Sequence, residues 1–369
     1  MHTPTWKRRA LLLIVLMLCA CSTPYRPPQL LDAGTTFPGL IDLAAGAGGK
    51  SADVLLVHGI CTHDASWAGV VVGQLMQSLT GATSSSSAHA ATGGPQVQIV
   101  SSSVATPAGS LRFNALIWSP LTTGLKRQLC YDQAGKSSIC DGTPPFTSTR
   151  ARLNARFKDG LIDDCLPDAL VYQGVARDDI QRRMRDAILQ VLDAGDAASD
   201  IPLVVISHSM GSKILFDTLL RMTEEAPGSR AALVAQKAVG RLRLLVMAAN
   251  QIPLLSLADQ QLGAAALAPT APDSLQRLLQ KRPAATAAAD KRLTLVAFTD
   301  PNDLLSYTLQ SEKYARQGVT VYNILVSNAS TYFGLLERPD DAHLNYLTNP
   351  DVGRLVACGL PSSTHCKRE

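Results

Sequence analysis

Five short apolar, β-branched runs punctuate the chain, at 54–58, 202–206, 241–250, 292–300 and 319–328, most closed by polar or turn-forming residues. Runs of this length and composition predict buried core strands. The clearest helical signal between them is DDIQRRMRDAILQVLDA (178–194), where Ile180, Met184, Ile188 and Leu192 recur every fourth residue with charges between. Ile214, Leu215, Leu219 and Met222 predict a second helix directly after the strand at 202–206. Strands alternating with helices imply parallel crossovers, so the expected fold is α/β with a doubly wound, mostly parallel sheet.

Two of these strands end in sequences that suit chemistry. PLVVISHSMGS (202–212) closes in a Ser-x-Ser-x-Gly turn that puts Ser209 where a strand breaks sharply into a helix. A serine hydroxyl is a poor nucleophile until a base takes its proton, and such a turn projects the oxygen away from the sheet edge. Ser207 and Gly211 flank Ser209 at two-residue spacing, where bulk would collide across the bend. Upstream, SADVLLVHGICTH runs a buried-strand pattern into His58-Gly59, the way a parallel strand ends at a ligand-facing loop. The His58 side chain itself reads as a structural histidine.

On these residues the chain resembles the α/β-hydrolase family, whose elbow usually carries glycine at the position of Ser207. The resemblance covers about residues 50–350 and implies a sheet of the α/β-hydrolase type, with oxyanion N–H groups from Ile60 and Met210. Each such pre-aimed donor contributes roughly 3 kcal/mol to holding the developing charge. It also implies the chain order serine, acid, histidine. His58 and His63 precede the serine, His2 lies in a segment expected to be removed, His89 in a low-complexity tract, and His208 at the variable elbow position. Of the remaining two, His365 sits at the C-terminus, where chains fray, so the base falls to His343. Asp303 in AFTDPNDLLSY (297–307) is the favoured acid, with Asp300 in reserve because, standing before Pro301, it fits a turn-former. Asp340 and Asp341 stand too close to His343 in sequence to orient it.

The N-terminus carries Lys7, Arg8 and Arg9 before LLLIVLMLCA, an apolar stretch too short to span a bilayer. Its end, Leu18-Cys19-Ala20-Cys21, resembles the lipobox of bacterial lipoproteins, which implies cleavage before Cys21 and lipidation there. An ordinary signal peptide cut nearby is the alternative. Ser22 resembles the outer-membrane sorting signal, so the resemblance implies the cell envelope, lipid-anchored at Cys21 in the outer membrane. The expected organisation is a signal peptide at 1–20, a tether and lead-in at 21–50, one hydrolase domain at 51–355 and a tail at 356–369. Insertions are expected near 80–95, 120–170 and 263–291, the last as a lid or a surface excursion.

Net charge is +4, and three of the positive residues lie in the N-terminal segment, which leaves about +1 and implies no nucleic-acid partner. Beyond Cys19 and Cys21 six cysteines remain. An even count in an oxidising compartment suggests disulfides. Cys130 with Cys140 and Cys358 with Cys366 could close local loops, leaving Cys61 and Cys165, though fifteen connectivities are formally open. No Cys/His spacing resembles a zinc site, and no metal or cofactor is implied. The expected activity is hydrolysis of a carboxylic ester or thioester on an acyl or lipid-like small molecule, with the membrane as a partner through the N-terminal lipid. An acyltransferase using the same triad and a non-catalytic binding lipoprotein of this fold are the alternatives, because fold does not fix substrate.

Overall fold

All five apolar runs lie in one nine-stranded sheet. The computed structural model describes residues 21–32, 36–48, 50–89, 96–133, 139–140, 149–192, 200–260, 271–283, 292–314 and 318–368. The signal segment expected at 1–20 lies outside them. The strands are β1 (Gln29–Leu30), β2 (Ser51–Val57), β3 (Thr83–His89), β4 (Gln98–Thr106), β5 (Gly109–Ile117), β6 (Leu203–His208), β7 (Leu242–Ala248), β8 (Leu293–Thr299) and β9 (Val319–Leu325). Their order across the sheet is β1-β9-β8-β7-β6-β2-β5-β4-β3. From β9 through to β5 every pairing is parallel, while β1, β4 and β3 pair antiparallel at the two edges.

The strand period of two divides the core between the two faces of this sheet. Val54, Leu56, Val204, Ile206, Leu244 and Val246 face helices α1 (Leu40–Gly46), α2 (Ala65–Gln77) and α9 (Pro350–Cys358). Leu55, Val57, Val205, Leu245 and Leu295 face α4 (Arg177–Leu192), α5 (Gly211–Thr223), α6 (Arg230–Arg241) and α7 (Ser274–Gln280). Each fully buried Leu, Ile or Val contributes roughly 1.5–3 kcal/mol of transfer free energy, so burial on both faces explains why these strands read as continuous apolar runs. In α4, Ile180, Met184, Ile188 and Leu192 form the buried stripe that the fourfold spacing predicts. Side chains fix several helix starts: Asp64 accepts the Ser66 N–H at 2.8 Å, and Asp273 accepts the Gln276 N–H at 2.8 Å.

Five expectations need correction. The serine run expected inside a flexible insertion is, over Thr83–His89, strand β3, because it pairs residue for residue with β4. Within the segment expected as a lid or surface excursion, α7 buries Leu275, Leu278 and Leu279 against the core and packs on α5; residues 261–270 and 284–291 lie outside the described residues. The tail does not fray. Gly359–Leu360 pairs with Phe37–Pro38, and Cys366 bonds to Cys358. The domain also begins before residue 51, since α1 buries Leu40, Ile41 and Ala44. Nor does the N-terminal stretch run free as a tether: Cys21–Ser22 pairs antiparallel with Thr331–Tyr332, and Gln29–Leu30 forms β1 at the sheet edge.

Candidate active site

Parallel strands deliver their following loops to one edge of the sheet, and the candidate residues all leave that edge. Ser209 follows β6, Ile60 follows β2, Asp300 and Asp303 follow β8, and His343 comes after β9 on the short helix α8 (Pro339–Leu344). Ser209 adopts φ 53°, a left-handed conformation uncommon outside glycine, at the break between β6 and α5. Its N–H donates to Ala248 O at 2.8 Å. The turn is tight on both sides: a Cβ on Gly211 would lie 2.2 Å from His58 O, and one on Gly59 would lie 2.5 Å from Ser209 Cβ. Ser207 is more than a tolerated small residue. Its buried hydroxyl donates to Val246 O at 3.2 Å and accepts from Ser212 Oγ at 3.0 Å.

The structure brings Ser209, His343 and Asp303 together. Ser209 Oγ lies 3.0 Å from His343 Nε2, and His343 Nδ1 lies 2.9 Å from both Asp303 oxygens. A carboxylate can only accept, so it assigns the ring proton to Nδ1 and leaves the Nε2 lone pair facing the serine hydroxyl. Burial pushes the Asp303 carboxyl up, but hydrogen bonding and attraction from His343, with donors from Leu305 N–H and the Tyr346 hydroxyl, outweigh it and hold the group below its usual range. Asp300 does not reach the histidine. It accepts Asn302 N–H at 2.9 Å and Asn328 N–H at 2.6 Å, fastening the end of β8 to the loop after β9.

The loop carrying Ile60 is clamped by the segment facing it. The stretch Phe157–Cys165, wound with wide i→i+5 turns, supplies Cys165 to a disulfide with Cys61 and precedes α3 (Leu166–Gln173). Asp164 in the same stretch accepts Thr62 N–H at 3.0 Å and pairs with the buried Lys126 at 2.9 Å. Cys61 sits at φ 77°. Among the described residues, neither the Ile60 nor the Met210 N–H donates to an acceptor, although both residues are buried. The other disulfides join Cys130 to Cys140 and Cys358 to Cys366.

His58 holds the base of this loop. Its Nδ1–H donates to Gly59 O at 2.9 Å, its Nε2 accepts Trp118 N–H at 2.9 Å, and its ring stacks on Trp118. Burial, with His63 adding repulsion, lowers its pKa well below the ordinary histidine value, so it stays neutral.

Two supporting residues carry no mark of their role in the sequence. His208 donates from Nε2 to His343 O at 2.9 Å and so fixes the backbone at His343. Burial, then repulsion from His343, lowers its pKa to about 3 and keeps it neutral. Tyr346 accepts Asp300 N–H at 2.7 Å and donates to Asp303 Oδ2 at 3.0 Å, linking the two aspartates. Its only available signal was a place three residues after His343.

A cleft of about 460 Å³ opens at this edge, lined by Leu153, Phe157, Leu161, Leu336 and Leu344, and it reaches Cys61 and His343. Ser209 is fully buried and does not line the cleft, whereas its partner His343 does. A separate cavity of about 500 Å³, walled by serines of β3 and β4, holds none of the candidate residues. Among the described residues no group of His, Cys, Asp and Glu side chains could hold a metal ion, and no helix is long and apolar enough to cross a membrane. Comparison with protein-family models, with curated proteins and with solved structures gave no match for this chain.

Proposed function

We propose that the chain is a serine hydrolase of the α/β-hydrolase type, cleaving a carboxylic ester or thioester in the bacterial envelope and anchored there by lipid on Cys21. The observation that carries this reading is the hydrogen-bonded relay from Ser209 through His343 to Asp303, with the serine held at positive φ between a strand and a helix. Ser209 Oγ attacks the acyl carbon while its proton passes to His343 Nε2, and the carbonyl electron pair moves onto oxygen. The free N–H groups of Ile60 and Met210 receive that oxyanion. Asp303 stabilises the imidazolium without taking the proton. Collapse expels the alcohol or thiol, which takes the proton from His343. Water then attacks the acyl-enzyme by the same route and frees the acid.

The apolar cleft beside His343 suits an aliphatic acyl group. The test is hydrolysis of p-nitrophenyl esters of graded acyl length by the chain from residue 21 onward, beside Ser209→Ala. Loss of kcat on the order of 10⁶-fold in the mutant is expected. Equal rates in both would sink the serine mechanism, and no hydrolysis by a folded parent would favour acyl transfer or a binding lipoprotein.

A further inference from the structure

The chain's first described residues sit beside a strongly exposed apolar turn. Cys21 pairs with Tyr332 and Ser22 with Thr331, the latter pair also joined through their hydroxyls at 2.6 Å. From Tyr332 the backbone reverses in a tight turn, closed by Tyr332 N–H to Leu336 O at 2.8 Å and Leu335 N–H to Tyr332 O at 2.9 Å. The two residues at its tip, Phe333 and Gly334, have φ 53° and 65°. Glycine, asparagine and aspartate are the residues that accept such a conformation without strain. Here a phenylalanine takes it, and its ring is not rewarded by burial: Phe333 is 65% exposed, Leu335 87% and Leu336 61%. Leu336 lines the cleft that ends at His343, and the exposed Leu153 and Leu344 continue the apolar rim on that cleft's other elements.

We infer that this rim, from the Phe333–Leu336 turn to the cleft mouth, seats against a lipid bilayer, so that the acyl chain enters the cleft directly from the lipid phase. The Cys21–Tyr332 pairing argues for lipid as the occupant, since a lipid on Cys21 would hold the turn at the membrane surface from which the cleft opens. The charges at the mouth bear on how the rim binds: Arg156 pairs with Asp340 at 2.9 Å, and Arg338 with Asp340 at 2.6 Å and with Asp341 at 3.0 Å. With its cations paired in this way, the rim binds by apolar insertion rather than by attraction to anionic headgroups. The inference rests on the proposed hydrolase and anchor reading for what enters the cleft, but the docking itself is measurable without turnover.

The test uses the chain from residue 21 onward, which contains every described element, carrying Cys21→Ser so that no lipid is attached. Co-sedimentation with phosphatidylcholine vesicles is compared between this parent and Phe333→Asn/Leu335→Ser. Partitioning of the parent that is insensitive to salt, and falls on the order of ten-fold or more in the variant, is the expected result. Asparagine relieves the positive-φ strain, so the variant keeps or gains thermal stability and keeps p-nitrophenyl butyrate hydrolysis. A merely structural turn would instead lose stability. Equal vesicle binding by both proteins would overturn the proposal, as would a parent that is dimeric, does not bind vesicles and becomes monomeric in the variant. A parent that binds vesicles but hydrolyses no ester would contradict the hydrolase reading and leave the docking result standing.

Discussion

Replacing Asp303 by asparagine separates the two aspartates of the loop after β8. The Asp303 carboxylate offers an oxygen to His343 Nδ1–H at 2.9 Å from either side, so the ring can hold only the tautomer with Nε2 unprotonated toward Ser209. Asparagine turns one of those oxygens into an NH₂ donor, which favours a bare Nδ1 and places the ring proton on Nε2. The histidine then donates to Ser209 and no longer accepts its proton. A wrong tautomer with intact geometry lowers kcat about 10⁴-fold, or about 5.5 kcal/mol of barrier. Asp300→Asn has a different effect. It keeps one acceptor oxygen and turns the other toward a backbone N–H, either Asn302 or Asn328, at a cost of about 1–3 kcal/mol in stability. Its kcat should fall less than about ten-fold, because the relay itself is untouched. The assay is steady-state hydrolysis of a p-nitrophenyl ester by both variants, with melting temperatures measured in parallel. Greater loss of kcat in Asp300→Asn than in Asp303→Asn would refute the assignment of the acid.

Other expectations follow from the same contacts. Glu337 accepts Asn302 Nδ2 and Ala329 N–H, and burial, with the charge of Asp300 beside it, raises its pKa from 4.5 to about 7. The folded state therefore holds a proton that the unfolded chain has already lost, and this stability is full below about pH 4.5 and disappears as pH rises through about 7. Glu337→Gln should flatten the fall in melting temperature across that window; an unchanged slope would remove Glu337 as its source. Asp303 works in the opposite direction: its lowered pKa stabilises the fold above the unfolded value of 3.8, and that contribution is lost on acidification. Removing the Cys61–Cys165 disulfide, whose cysteines are 104 residues apart, should cost about 4.7 kcal/mol, against roughly 3 kcal/mol for the ten-residue Cys130–Cys140 separation. Only the first should also lower kcat, because Cys61 follows Ile60; equal kinetic effects from the two deletions would contradict the clamp on that loop.

Five of the six parallel strands were legible because strands covered on both faces are apolar at consecutive positions, as at Val204–Ile206 and Leu295–Phe298, whereas β5, broken by Arg112 and Asn114, was missed. Nor was the antiparallel edge legible. In β3 and β4 serines fill the ladder, and backbone pairing, which leaves no trace in side-chain type, makes the strand. Ser209 and Asp303 could be singled out because each stands just past the end of a strand, and His343 because the chain order implied by the resemblance left it as the candidate base. His208 and Tyr346 could not: one meets its partner across 135 residues, and the other bridges two aspartates that only the fold brings under its hydroxyl. The docking of residues 21–30 was invisible for the same reason, since two-residue pairings carry no periodicity.

The most direct measurement is labelling of the folded chain with a fluorophosphonate, followed by mass spectrometry of the peptide spanning 202–212. A nucleophilic Ser209, activated by His343 at 3.0 Å, displaces fluoride and carries a single phosphonyl adduct, which Ser209→Ala abolishes. A folded protein that remains unlabelled at Ser209, or is labelled equally in the alanine variant, would contradict catalysis at this serine.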